Sequence, residues 1–275
     1  MTSISVVMVT LNERRLLAES LSSVQNLATE ILVADLGSDD GSPEVARRYG
    51  ARVVNLPRAD AVEMLRPTLV AQATAEWVLL LDPDEVVDPA LSRALDAASY
   101  SQDFDVVEMT FHTYMMGKRL RGTGWSPNRE RHVRFFRKDR VRMSPDVHGG
   151  ICAEDPARLL RLGEDAGVVH HFNYVSWEQF VSKMNRYTTV EAQERDTAGV
   201  LPSLPRLARD LAGEFVNRAV RDGIWRDGWR GLSLLVLMLT YRTLVFSKQR
   251  LLLEVGTEEQ VGENDRERAR GILGT

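Results

Sequence analysis

Trp77–Glu85 reads WVLLLDPDE. Trp77 to Leu81 are apolar without a break, and the carboxylates Asp82, Asp84 and Glu85 follow at once. An uninterrupted apolar run of this kind is the mark of a strand buried on both faces. Asp88-Pro89 and a helical pattern come next, so the run reads as strand, acidic turn, helix. That order delivers the acids to the carboxyl edge of a parallel sheet, where open α/β sheets bind ligands. Asp82 and Asp84 are two apart, so in extended chain they share a face. Two such carboxylates repel each other and favour a divalent cation beside them. The plain alternative is a solvated turn with Asp88 as helix N-cap.

Outward from this run the first hundred residues repeat the same alternation. Ser5–Val9 is a strand, followed by Thr10-Leu11-Asn12-Glu13 and a helical face of Leu16, Leu17, Leu21 and Val24. Glu30–Asp35 is a second strand ending in an acid, followed by the turn LGSDDGS at 36–42 and a helix from Pro43. Arg52–Asn55 is a third strand. Helices are expected around 61–74 and 89–100. Alternating strands and helices with short loops predict βαβ units and an α/β fold with a mostly parallel sheet. Three strand ends then bring Asn12-Glu13, Asp35 with Asp39-Asp40, and Asp82-Asp84-Glu85 to one edge. A nucleotide fits that edge, with carboxylates accepting hydrogen bonds from a base or ribose and a metal neutralising phosphates. There is no G-x-G-x-x-G and no G-x-x-x-x-G-K-[ST], so neither a dinucleotide site nor a P-loop is supported.

Composition narrows the class further. The chain has 275 residues, a net charge of −4 and a single cysteine, Cys152. The charge gives no nucleic-acid signature, and one cysteine excludes an intrachain disulfide and a cysteine-built zinc site. The start runs almost directly into a strand without a basic-then-apolar leader, so a cytoplasmic location is expected, at most peripheral on the inner face of the plasma membrane.

VVMVTLNE (6–13), VADLGSDDGS (33–42) and WVLLLDPDE (77–85), in this order and spacing, resemble a GT-A fold, family 2 glycosyltransferase. The resemblance covers roughly residues 3–190 and lies toward the lipopolysaccharide-core glucosyltransferase branch. GWSPNRERHVRFFR (124–137), VVHHFNY (168–174) and KMNRY (183–187) add to it. It implies that Asp35 binds the nucleotide base, usually uracil, and that Thr10, Asn12 and Glu13 line the nucleotide pocket. Asp82 and Asp84 would form a D-x-D motif, Asp82 toward the ribose and Asp84 on a Mn²⁺ or Mg²⁺ that bridges the diphosphate. Glu85 would orient the pair from behind. Two departures stand out. His148-Gly149 occupies the place of a His-Glu pair, which removes the expected general base and leaves Asp146, Glu154 and Asp155 as substitutes. Arg66-Pro67 stands where a basic-Asn pair is usual, which keeps the charge near the nucleotide and loses the amide.

The second half adds basic and amphipathic character. Lys118–Arg142 holds ten Lys or Arg against Glu130 and Asp139, and within it Val133 and Phe135 are expected on one face of a strand. Trp125 could stack on a sugar or pack in the core. His170 and His171 close an apolar strand; their side chains should face opposite ways, and His170 is taken as the metal ligand. Ser176 reads as an N-cap. Residues 203–250 carry nine basic and four acidic side chains and an eleven-residue uncharged run, GLSLLVLMLTY (231–241). That run is too short to span a bilayer, for which about 20 apolar residues are needed. It suits either an interfacial helix on an anionic leaflet or a packed hairpin. The expected division is a nucleotide-sugar-binding and catalytic domain at 1–200, a helical, membrane-associating extension at 201–253, and a flexible tail at 254–275.

The function expected is an inverting, metal-dependent transfer of a sugar from a nucleotide-diphosphate donor, a UDP-sugar, to a glycan or lipid-linked hydroxyl. A sugar-nucleotide or glycolipid binding protein without a base is the alternative. A sugar nucleotidyltransferase is disfavoured, because TLNERR lacks the glycine-rich basic loop of such enzymes.

Overall fold

A computed structural model describes residues 2–58, 62–127, 129–143 and 151–273. Asp146 and the His148-Gly149 pair fall outside these residues. The chain divides into two compact units, one of residues 1–119 and 125–173, the other of residues 120–124 and 174–275. The structural division thus falls at 173/174, where the sequence reading expects it at 200.

The first unit is a mixed sheet flanked by helices. Its strands are β1 Ile4–Thr10, β2 Glu30–Asp35, β3 Arg52–Asn55, β4 Trp77–Leu80, β5 Glu85–Val87, β6 Val106–Met115, β7 Lys118–Arg119, β8 Arg131–Arg137, β9 Val141–Met143, β10 Ile151–Ala153, β11 Leu159–Arg161 and β12 Val169–Tyr174, whose last residue already counts with the second unit. The main order is β3-β2-β1-β4-β8-β6-β12-β5, with β7 and β11 on β6, and β9 and β10 as a separate hairpin. β3, β2, β1 and β4 are mutually parallel, linked by helices α1 Arg14–Val24, α2 Ser42–Arg48 and α3 Arg66–Gln72. α4 Pro89–Ser99 follows β5, and the Asp88 carboxylate caps it by accepting from the Ala90 N–H at 2.6 Å.

β4 explains why the run 77–81 has no polar residue. Trp77, Leu79 and Leu81 pack into the cluster with α1 and α4, while Val78 and Leu80 pack into the opposite cluster with α3. Both faces are covered, so no position of the strand meets water. Trp77 stacks on Phe135 of β8 with ring centroids 4.6 Å apart. Replacing Leu79 by Ala would cost about 2–5 kcal/mol, the usual range for a buried leucine.

β8 is where the strand differs from its expected pattern. Phe135 pairs with Val107 and Val133 with Glu108, so Arg134 is an extra residue, a β-bulge. The expectation of Val133 and Phe135 on one face is corrected by this bulge. Phe135 packs into one cluster, whereas Val133 and Phe136 pack into the other.

The second unit is helical: α5 Trp177–Thr197, α6 Leu204–Phe215, a π-helical turn Val216–Arg221, a 3-10 turn Ile224–Asp227, α7 Gly228–Glu254 and α8 Glu258–Leu273. Ser176 caps α5 by accepting from the Gln179 N–H. Glu191 of α5 meets Arg195, Arg242 and the Tyr241 hydroxyl, while Glu214 of α6 meets Arg242. These contacts tie α5, α6 and α7 together and explain why α5 belongs here. α8 occupies most of the segment expected as a tail at 254–275. Among the described residues, one helical stretch, Ile224–Glu254, is long and apolar enough to cross a membrane by length and composition.

Candidate active site

At the carboxyl ends of β1 and β2, Thr10 and Asp35 are partners in the ladder. Both are buried, at 1% and 4% exposure. Asp35 Oδ2 accepts from the N–H groups of Gly37 and Ser38, each at 3.0 Å. Gly37 has φ 86°, a left-handed conformation that glycine takes without strain and that folds the loop back over the carboxylate. Asp35 Oδ1 and Thr10 Oγ1 have no partner. Buried polar atoms in folded proteins are nearly always satisfied, so two orphans side by side mark a place where a ligand supplies the missing groups.

The next residues join two loops into one wall. The Asn12 N–H donates to Ser38 Oγ, and Asn12 Oδ1 accepts from the Asp39 N–H, both at 2.9 Å. The Glu13 N–H donates to Ser42 Oγ at 3.2 Å. Asp40 accepts from the Arg14 N–H through one oxygen and from Ser42 through the other. It thereby caps the starts of both α1 and α2, which have no N-cap side-chain bond of their own. Burial would raise the Asp40 pKa, but these hydrogen bonds outweigh it and hold it below the ordinary carboxylate value. Asp40 is thus occupied in holding the loops, while Asn12 fixes the wall's register.

Beyond β4, Glu85 is buried, and its Oε2 accepts the Asp82 N–H at 2.8 Å. The Glu85 N–H returns to the Asp82 carbonyl at 3.0 Å, closing the D-P-D-E turn on itself. Asp82 receives Arg66 of α3 at 3.1 and 3.4 Å and Arg134 of the bulge at 3.3 Å. Burial would raise the Asp82 pKa, but Arg134, Arg66 and His171 together hold it well below the carboxylate range. Burial and the neighbouring Asp82 charge push Glu85 the other way, up. The two neighbouring carboxyls are thus pushed in opposite directions, as expected of acids in contact.

β5 and β12 run antiparallel, with His171 opposite Glu85 and His170 opposite Val86. His171 Nε2 lies 3.6 Å from Asp84 Oδ2. Burial lowers the His171 pKa, but the facing Asp84 carboxylate and the charges of Glu85 and Asp82 raise it overall. His170 faces the other way: Nδ1 is 3.2 Å from the Tyr114 hydroxyl and Nε2 is 3.8 Å from Asp88. Of the two histidines, His171 and not His170 faces Asp84, while His170 faces Tyr114 and Asp88. Glu154 is not at this edge. Its N–H donates to the Arg140 carbonyl at the base of the β9–β10 hairpin, just beyond Lys138, whose N–H reaches Glu76 ahead of β4. Glu154 thus sits toward the amino side of the sheet, away from Asp82 and Asp84.

The structure brings Thr10, Asn12, Glu13 and Asp35 to one half of the edge, and Arg66, Asp82, Asp84 and Glu85 to the other. Sequence reasoning missed two members. Arg134 lay inside a basic stretch in which nothing marked it from its neighbours, since a bulge depends on the pairing of β8 with β6. His171 was half-legible, because alternation shows that one of two adjacent histidines faces the acids without saying which.

Comparison with known proteins agrees with this architecture. The family model for glycosyl transferase family 2 matches residues 5–153. The lipopolysaccharide core biosynthesis glycosyltransferase LpsC of Rhizobium meliloti (strain 1021) is 26% identical over 256 residues, 89% of this chain and 91% of LpsC. An uncharacterized glycosyltransferase of Rickettsia typhi (strain ATCC VR-144 / Wilmington) is 24% identical over 224 residues, 79% of this chain and 76% of that protein. The mannosyltransferase PcManGT from Pyrobaculum calidifontis, solved with GDP-Man and Mn²⁺, superposes with a TM-score of 0.50 at 14% identity, covering 91% of this chain and 87% of its own. A family model spanning more than half the chain, on a sheet that ends in these acids, places the protein in its class: the chain belongs to glycosyl transferase family 2, on a GT-A fold.

Proposed function

We propose that the enzyme transfers a sugar from a nucleotide-diphosphate donor of the UDP class to a hydroxyl of a glycan or lipid-linked acceptor, with inversion at the anomeric carbon. The observation that carries this reading is the pair of buried, partnerless oxygens, Asp35 Oδ1 and Thr10 Oγ1, on the edge that also holds Asp82 and Asp84. Asp35 Oδ1 can accept the ring N–H of a uracil, and Thr10 Oγ1 can donate to or accept from a base carbonyl or ribose hydroxyl.

Asp84 and His171 would hold the divalent cation, Mn²⁺ or Mg²⁺, an oxygen and a nitrogen donor that suit such ions. Among the described residues no group of three His, Cys, Asp or Glu is placed to cage a metal. This fits a cation that takes its remaining ligands from the diphosphate and water. When bound, it supplies positive charge to the leaving diphosphate. Asp82, already bridged by Arg66 and Arg134, is placed to orient those guanidiniums toward the phosphates and to accept from a ribose hydroxyl. Glu85 keeps the turn closed while this happens.

In the transfer, the acceptor oxygen forms a bond to the anomeric carbon as the bond from that carbon to the diphosphate oxygen breaks. The acceptor proton goes to a carboxylate, for which Asp146 is the remaining sequence candidate once Glu154 and the adjacent Asp155 are set aside. LpsC, named for lipopolysaccharide core biosynthesis, supports a cell-envelope acceptor. A screen of UDP- and GDP-sugars, with and without Mn²⁺, for binding and slow hydrolysis tests the reading. Metal-dependent binding of a UDP-sugar, lost in Asp84→Asn, is the expected result. Equal binding without metal, or none in the whole panel, would refute it.

A further inference from the structure

We infer that the α6–α7 face of the helical unit beds into the surface of an anionic lipid bilayer, without crossing it. This goes beyond the donor chemistry above and does not depend on it. α6 has its apolar residues on one side, yet none of its residues is buried. An amphipathic helix inside a folded protein normally buries that side. Here Leu204 and Phe215 are exposed, and so are Trp225, Trp229, Leu232 and Val236 in the segments that follow, with exposures from 48% to 71%. Exposed large apolar side chains gathered in this way mark a place of interaction.

Between α6 and α7 runs a groove of about 570 Å³, with Leu211 and Phe215 on one wall and Val236 and Leu239 on the other. Its polar side chains are Thr240 and Thr243. Their hydroxyls donate back into their own helix, to the carbonyls of Val236 and Leu239 at 2.9 and 3.0 Å. The groove therefore offers an entering group no free hydroxyl hydrogen, and an apolar chain suits it.

Charge complementarity decides between a bilayer and other apolar partners. Residues 204–236 hold six arginines and four acids. Three of the acids are engaged within the unit. Asp210 meets Arg195, Glu214 meets Arg218 and Arg242, and Asp227 accepts from the N–H groups of Arg121 and Gly122. Arg209, Arg221 and Arg226 are exposed. The face thus presents cations and apolar side chains and ties up three of its four acids within the unit, the pattern of an interfacial element on an anionic leaflet. Trp225 and Trp229 are residue types that settle at the level of lipid headgroups. Crossing is disfavoured because α7 is pinned along its length. Arg242 is held by Glu191 and Glu214, and Lys248 by Asn185, Thr188 and Thr189 of α5.

The test is flotation of the full-length protein with vesicles of phosphatidylcholine alone and with vesicles of phosphatidylcholine and phosphatidylglycerol. Binding to the anionic vesicles only, reduced at high salt, is expected. The triple variant Arg209→Glu, Arg221→Glu, Arg226→Glu should bind them at least about tenfold less, given a contribution of up to about 1 kcal/mol per surface arginine. Val236→Ser and Leu232→Ser should each weaken binding with UDP affinity unchanged. Three results would overturn the proposal: equal binding to both vesicle types, retention after alkaline carbonate extraction, or a stable dimer in solution that Val236→Ser converts to monomer.

Discussion

β2 carries a carboxylate at each end, and the two are used in opposite ways. Glu30, on the amino side of the sheet, accepts from the Ser5 hydroxyl, from the N–H and hydroxyl of Thr74, and from Arg52. It knits β1, β2, β3 and the end of α3 together, and neither oxygen is left over. Asp35, at the carboxyl side, spends one oxygen on its own loop and keeps the other buried and partnerless. Leaving a buried acceptor unmade costs about 1–3 kcal/mol. The saturated acid belongs to the architecture. The half-saturated acid keeps an unmet acceptor, which on the proposed reading the nucleotide base would fill.

The most severe test of this contrast lies just beyond it. Asp84→Asn should lower turnover by about 10²–10³, the usual scale for losing one electrostatic stabiliser of a developing charge, while thermal stability stays near that of the parent. A steady-state assay beside a melting curve reads both. Stability falling in step with turnover would make Asp84 an architectural acid like Glu30.

Next, Asp35→Asn should weaken UDP binding by about 1–3 kcal/mol in calorimetric titration, because an amide cannot offer two acceptor oxygens. Unfolding free energy should move far less. If affinity is unchanged, the orphan oxygen serves something other than the nucleotide.

Glu30→Gln should do the reverse, costing about 1–2 kcal/mol of stability with UDP affinity intact. The pH dependence sharpens it. Burial raises the Glu30 pKa, but the bonds from Ser5, Thr74 and Arg52 bring it from 4.5 down to about 2. A folded value below the unfolded one means that the ionised form stabilises the fold. That contribution is complete above about pH 4.5 and is lost as pH falls toward 2. Denaturant curves of parent and variant should therefore draw together over that window. A constant gap would assign the loss to packing.

The smallest expected effect is that of Ser38→Ala. It removes the acceptor of the Asn12 N–H and should cost about 0.5–1.5 kcal/mol of UDP affinity, read by the same titration. A loss confined to stability would move the stitched loops to the Glu30 side of the comparison.

How much of this could be read beforehand follows from what is local in sequence. β2, β3, α4 with its Asp88 cap and the start of α5 at Ser176 follow from periodicity, capping chemistry and turn residues within a few positions of each other. The edge of acids follows too, since strand ends in a parallel sheet share a side. Asp40 looked like another ligand acid because an N-cap for two helices at once requires knowing that two loops meet. Arg134 needed the pairing of β8, and His171 needed the face of β12, both set by contacts far along the chain. The boundary at 173/174 follows from Glu191 reaching residues about fifty positions away, which no periodicity in α5 reveals.

The bulge at Arg134 has a consequence for chain length. A one-residue change inside a strand is usually ruinous, because every side chain beyond it changes faces. Here the extra residue is already absorbed: Val133 and Phe135, on either side of it, lie in opposite clusters. Excising Arg134 would leave them as ordinary neighbours in an unbroken ladder. Deletion, commonly the harshest lesion a sheet can suffer, becomes at this position a way to subtract a single positive charge from beside Asp82 without shifting the strand's faces.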